Sequence, residues 1–257
     1  MCTVIVGIDP SRDTPLIVAA NRDEDLDRPT EPPQLRVVDG VRVFAPRDVL
    51  ADGTWLGLNE HGLFVALTNR FGLRPDPARR SRGQLVLSTL TASNAHEAFE
   101  RTRDLDAQKE NGFHLIMADR TQAFLVRGDM HALDARPLSP GWHAITERSF
   151  SEHATARETL IHTMISAWGD RTPTDDDLKA ILTQPHPNGF DGVLVEVPSF
   201  NYGTRSSTLL RMRADGTTDF LHADGRPDRA EYINYSSGAR FASPSSDTLA
   251  ERSDGSS

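Results

Sequence analysis

MCTVIVGIDPSRDTPLIVAANRDE, residues 1–24, consists of two apolar runs joined by a polar turn. Residues 2–8 are rich in β-branched side chains, and residues 15–20 form the second run. Two such runs across a short turn predict a β-hairpin. Pairing brings the end of the second strand back beside the start of the first, so residues 21–24 stand close to Cys2. Side chains alternate across a strand. Asn21 and Asp23 therefore share one face, and Arg22 and Glu24 share the other. Four consecutive polar residues at the end of an apolar strand need a reason. Either they are a solvated strand end, or Asp23 faces the chain start and holds it in place as a charge at the surface of a cleft.

Cys2 is the only cysteine in 257 residues and follows the initiator methionine. A lone cysteine at the head of a strand can be a small buried hydrophobe. It can also be a nucleophile. Cysteine is small enough for methionine aminopeptidase to remove Met1, so that the mature chain begins with a thiol and a free α-amine on one residue. Such an amine titrates near ~8, against ~8.5 for a free thiol, and can serve as that thiol's own base.

A chain of this length can bury a substantial core as one large domain or two small ones. The formal net charge of -9 argues against nucleic acid or an anionic membrane as the main partner. Lys109 and Lys179 are the only lysines, so the basic charge is nearly all arginine. One cysteine excludes internal disulfides and multi-cysteine metal sites, and the nine histidines show no metal-ligand spacing. No signal-like segment and no apolar run long enough to span a bilayer is present, so a cytoplasmic protein without an integral membrane segment is expected.

Further along, residues 25–40 contain Pro29, Pro32 and Pro33 and read as a loop. Residues 41–45, 53–59 and 63–69 read as strands, the last two forming a hairpin. Ser81 is placed to cap a helix through residues 83–87. Asn94 with Glu97 three residues on is a capping-box pattern for a helix from Ala95 to about Arg103. Strands are expected at 113–118, 123–127 and 142–146, an amphipathic helix over 153–168, and another after Thr174 with Asp177. Residues 184–203 read as loop, and 204–212 and 217–222 as strands. Strands, two helices, strands, two helices and strands again imply an α+β domain, two sheets face to face with helices outside. One domain over residues 1–238 and a disordered tail over 239–257, rich in Ser, Gly and Asp, are expected.

Met1-Cys2-Thr3, Asn21-Arg22-Asp23-Glu24, Gly53-Thr54-Trp55-Leu56-Gly57, Leu67-Thr68-Asn69 and Tyr202-Gly203-Thr204-Arg205-Ser206-Ser207 together resemble the NRDE family, also called transport and Golgi organisation 2-like. Residues 143–150 (HAITERSF) depart from the Leu-Ser-Asn pattern usual there. The family is similar in turn to the cysteine N-terminal-nucleophile (Ntn) hydrolases, such as bile salt hydrolases and penicillin V acylases. Those cleave linear amides on a four-layer αββα sandwich. Their second strand typically ends Arg-Asn-x-Asp; here the run is Ala20-Asn21-Arg22-Asp23, with alanine in the arginine's place.

The resemblance implies Cys2 as nucleophile with its freed amine as base, and Asp23 as the group orienting that end, with Asn21 beside it. Asn69 becomes a candidate oxyanion donor. Arg205 becomes a candidate for holding the thiolate or gripping a substrate carboxylate. The plainer roles for Asn69 and Arg205 are turn capping and a surface ion pair. Arg22, Trp55 and Thr68 are candidate substrate contacts, Trp55 equally a core residue. No metal or cofactor is implied. Two functions follow: hydrolysis or transfer of an acyl group from a small-molecule amide, or a non-catalytic carrier on the same fold, since eukaryotic relatives are linked to haem or lipid handling.

Overall fold

The computed structural model describes residues 2–151 and 153–241. Its first hairpin is β1 (Cys2–Ser11) and β2 (Thr14–Asp25), paired antiparallel with Cys2 opposite Arg22 and Thr3 opposite Asn21. The long polar-ended strand β2 is flanked on its other side by β12 (Tyr202–Met212), whose register shifts between Thr204 and Ser206. Also in this sheet are β10 (Gly141–Thr146), β11 (Glu196–Val197), β13 (Thr218–Asp224) and β14 (Ile233–Asn234). The strand order is β10-β1-β2-β12-β13-β14, with β11 on β12.

The second sheet runs in chain order, as a meander, from β3 to β9. It comprises β3 (Thr30–Val38), β4 (Val41–Asp48), β5 (Leu56–Asn59), β6 (Phe64–Asn69), β7 (Phe113–Ala118), β8 (Ala123–Gly128) and β9 (Leu133–Leu138). Helices α1 (Arg82–Thr89) and α2 (Ala95–Arg103) follow β6; α3 (Ala156–Ser166) and α4 (Asp175–Leu182) follow β10.

Side-chain alternation divides the core into three slabs. Val4, Val6, Leu16 and Val18 meet Leu56, Phe64, Ile116 and Leu125 between the sheets. Phe44 and Phe220 join the two sheets edge to face with ring centroids 5.3 Å apart. Val65, Leu67, Leu115 and Met117 pack under α1 and α2, and Ile5, Ile17 and Ala19 pack under α3 and α4. This is the four-layer αββα sandwich of the Ntn-hydrolase type. No helix among the described residues is long and apolar enough to cross a membrane.

Three local readings are corrected. Residues 30–38 form a strand despite Pro32 and Pro33, because β3 lies at the edge of its sheet and its pairing with β4 shifts register between Glu31 and Gln34, where the prolines fall. Strand β9 lies at the opposite edge and carries Pro137, which hid it in the same way. Ser81 occupies the N-cap position of α1 but its side chain makes no cap bond. The Asn94 cap on α2 forms, accepting from the Glu97 N–H at 2.9 Å, but the Glu97 carboxylate accepts from the Ser93 N–H, one residue before the position a capping box requires. Of the segment expected as a tail, residues 239–241 are described and Ala239 is buried against the inter-sheet core; residues 242–257 lie outside the described residues.

Two glycines fix where α1 starts. A Cβ on Gly53 would lie 2.7 Å from the backbone of Gly83, and the Thr54 N–H donates to the Gly83 carbonyl at 3.3 Å. The backbones touch, so the first turn of α1 is held against the loop that carries Trp55. Gly53→Ala is expected to lower stability by about 1–3 kcal/mol, the usual cost of overpacking a tight site. A urea titration of the variant against the wild type checks this.

Candidate active site

Alternation along β1 and β2 sends the Cys2 and Arg22 side chains to the inter-sheet side. Asn21 and Asp23 point to the α3/α4 side. The buried thiol opens onto a cleft of about 190 Å³ at the end of the sandwich, whose walls include Arg22, Trp55, Asn69 and Arg82. Burial pushes the Cys2 thiol pKa up and the Asp23 charge adds to the rise; the Arg22 charge and a hydrogen bond from the Asp23 backbone pull the other way. At neutral pH the thiol is therefore protonated until a base takes its proton.

Arg22 is 4% exposed. Its Nη2 donates to Asp48 at 2.8 Å and its guanidinium lies over Trp55, 4.4 Å from the ring centroid. Arg28 donates to the same Asp48 oxygen at 2.6 Å. Two arginines on one carboxylate, together with the Ala51 N–H, hold the Asp48 pKa below the ordinary carboxylate range against the effect of its own burial.

Asp23 is not a charge at the cleft surface. It is 1% exposed. The Thr204 hydroxyl donates to Oδ1 at 2.8 Å, and the Tyr202 hydroxyl donates to the Asp23 backbone carbonyl at 2.8 Å. Arg157, also buried, lies 3.9 Å from Oδ2. The same guanidinium donates to Glu147 at 3.1 Å, to Thr3 at 3.2 Å and to the Phe190 carbonyl. Burial raises the Asp23 pKa to about 6 although Arg157 and Thr204 oppose the shift. Beneath the first residues of β1 there is thus a dry cluster of two acids and one arginine.

Arg157 and Glu147 were missed in the sequence. Arg157 opens α3, where an arginine reads as a solvated helix residue, and Glu147 lies in the segment that departs from the family pattern. Thr204 and Tyr202 were visible as motif residues without a role; they hold Asp23.

The remaining candidates separate. Asn69, half-buried, lines the cleft with Cys2. Asn21 does not share it. Its Nδ2 donates to the Leu182 and Val193 carbonyls at 2.9 Å each, tying β2 to the end of α4 and the loop after it. Thr68 is fully buried, bonded to His114 Nδ1 at 3.0 Å and to the Thr146 carbonyl at 3.2 Å, and is not part of the cleft wall. Arg205 sits at the bulge in β12 and pairs with Asp224 at the next strand, outside the cleft wall. It makes an ion pair as in its plainer reading, but it is half-buried and its Nε is buried with no hydrogen-bond partner among the described residues.

The residue pattern that defines the Transport and Golgi organisation 2 family matches residues 1–224. A human Transport and Golgi organization protein 2 homolog is 26% identical over 86% of this chain and 91% of its own. Among solved structures, a Caenorhabditis elegans N-acylethanolamine-hydrolyzing acid amidase ortholog superposes with a TM-score of 0.59 at 15% identity, covering 82% of this chain and 92% of that one. Penicillin V acylase from Agrobacterium tumefaciens gives 0.54 at 14% identity, over 91% and 86%. At these identities the structural likeness concerns the fold.

Two expectations follow from the buried charges. Arg157→Met leaves two carboxylates without their cation and is expected to cost about 3–5 kcal/mol, as breaking other buried pairs does; chemical denaturation measures it. His114 is neutral, its pKa lowered from 6.5 to about 4 first by burial and then by Arg70 and Arg127. A base whose folded pKa is depressed contributes stability above its unfolded pKa and loses it as pH falls. Wild type should therefore lose on the order of 3 kcal/mol from this group between about pH 6.5 and 4. His114→Phe should lack that component when unfolding is followed against pH.

Proposed function

The chain belongs to the transport and Golgi organisation 2 family, and we propose that it is an N-terminal-cysteine hydrolase or acyltransferase acting on a linear amide of a small molecule. The observation that supports this best is the placing of Cys2. Its thiol opens into a cleft on one side of β1, while Asp23 lies buried on the other side of the adjoining strand.

Once Met1 is removed, the α-amine of Cys2 is the base that the high thiol pKa calls for. It takes the Sγ proton as sulfur attacks the amide carbonyl. The Asn69 amide, in the cleft wall, donates to the oxygen that becomes negative; such a donor is worth roughly 3–4 kcal/mol where it has been removed from other enzymes. The C–N bond breaks, the ammonium returns the proton to the leaving amine, and a thioester remains on Cys2. Water or a second amine then attacks the thioester, giving the acid or the transferred acyl product and the free thiol. Asp23, ionised above about pH 6, stabilises the ammonium between these steps. Arg157 keeps Asp23 ionised and in place.

Iodoacetamide labelling at pH 7, followed by intact mass, is expected to be faster for chain that begins at Cys2 than for chain that keeps Met1. Labelling of the processed chain no faster than a model peptide thiol would remove the enzyme reading in favour of a carrier. Asp23→Asn should slow acylation of Cys2 by about two orders of magnitude, the contribution of a positioned acid–base partner. The wild-type acylation rate should fall as pH drops below about 6, where Asp23 protonates. An unchanged rate in a folded Asp23→Asn protein would remove Asp23 from the site.

A further inference from the structure

The cleft at Cys2 carries more positive charge than its own acids answer. Its walls hold Arg22, Arg28 and Arg82 against Glu24 and Asp48. Asp48 is spent, bonded by Arg22 and Arg28 and by the Ala51 N–H. Glu24 lies 3.6 Å from Arg22 and 4.0 Å from Arg28. Arg82 is left over. Among the described residues it forms no ion pair, and its one hydrogen bond is a long one, 3.4 Å to the Gly112 carbonyl. Burial lowers the Arg82 pKa although Cys2 and Glu24 oppose the shift.

Two further features face the same cleft. Arg22 is 4% exposed, and its Nη1 is buried with no hydrogen-bond partner among the described residues. A buried donor left unpaired is costly, and the large majority of buried side-chain polar atoms are satisfied. Ser81, Arg82 and Gly83 bring the N-terminus of α1 into the cleft wall. Among the described residues no side chain caps that helix and its first turn holds no acidic residue, so its N–H groups and dipole are unanswered by those residues. The touching backbones of Gly53 and Gly83 hold it there.

We propose that the cleft at Cys2 takes acyl substrates that carry a carboxylate close to the reacting carbonyl, seated between Arg82, Arg22 and the N-terminus of α1. This rests on the reading of Cys2 as the reacting group. Cys2 stands opposite Arg22 in the strand register, so the anion is bound a short reach from Sγ. The small volume, about 190 Å³, leaves room for the acid and the reacting carbonyl, and a longer substituent extends outward.

Iodoacetate and iodoacetamide test this on the intact protein. With each, the S–C bond forms at Sγ as iodide leaves; only iodoacetate carries the anion. The ratio of their rate constants, divided by the same ratio for a short cysteine peptide, isolates anion preference from thiol reactivity. At low salt and pH 7 the normalised ratio should be about tenfold above one, as expected for one charge at short range in a partly screened site. Arg82→Gln should bring it close to one, Arg82→Lys should keep most of it, and added salt should lower it. A wild-type ratio of one or less overturns the proposal, as does an unchanged ratio in folded Arg82→Gln. If Arg82→Gln fails to fold, a wild-type ratio that added salt leaves unchanged overturns it. The iodoacetamide rate alone tests the activated thiol, so the two readings fail separately.

Discussion

The antiparallel pairing of β1 with β2, with Cys2 opposite Arg22, is the constraint on which the site depends. Paired residues share a face and neighbours along a strand do not. The thiol and Arg22 therefore look into the space between the sheets, and Asp23 looks into the layer beneath α3 and α4. A slip of one residue would exchange these faces, putting Asp23 in the cleft and Arg22 among the helices. The register is held by burial on both sides: Val4, Val6, Leu16 and Val18 fill the inter-sheet slab while Ile5, Ile17 and Ala19 fill the other.

That arrangement divides the electrostatics in two. On the cleft side, Asp48 and Glu24 pair with Arg22 and Arg28, and Arg82 leaves arginine in excess. On the helix side, Asp23 and Glu147 share Arg157 out of contact with water. Buried ions of this kind are rarely retained for stability alone, because apolar replacements of the same shape often do as well. Here the cluster lies directly under the first residues of β1, where Arg157 also bonds the Thr3 hydroxyl. It ties the start of the chain, β2, β12 and α3 to one point.

The family motifs divide along the same line. Thr204 and Tyr202 support Asp23, Gly53 sets the start of α1, and Trp55 stacks on Arg22. Arg205, in the middle of its motif, is the extra residue where the register of β12 shifts, and it pairs with Asp224. Asn21 serves as a tie between β2 and α4. A motif marks where side chains are constrained; the sheet geometry decides whether the constraint is chemical or architectural.

From the sequence alone came the hairpin, the order of strands and helices, the sandwich, and the separation of Asn21 and Asp23 from Arg22. These rest on hydrophobic period and alternation, which are local properties of the chain. Edge strands β3 and β9 were obscured because proline is tolerated only where a neighbouring strand is missing, and edges are defined by the assembled sheet. The burial of Asp23, its partner Arg157 from 134 residues further along the chain, and the approach of Arg82 and α1 to Cys2 were decided by tertiary structure. Charges find one another through layer packing, and the pKa of a carboxylate or thiol follows from the water that packing removes.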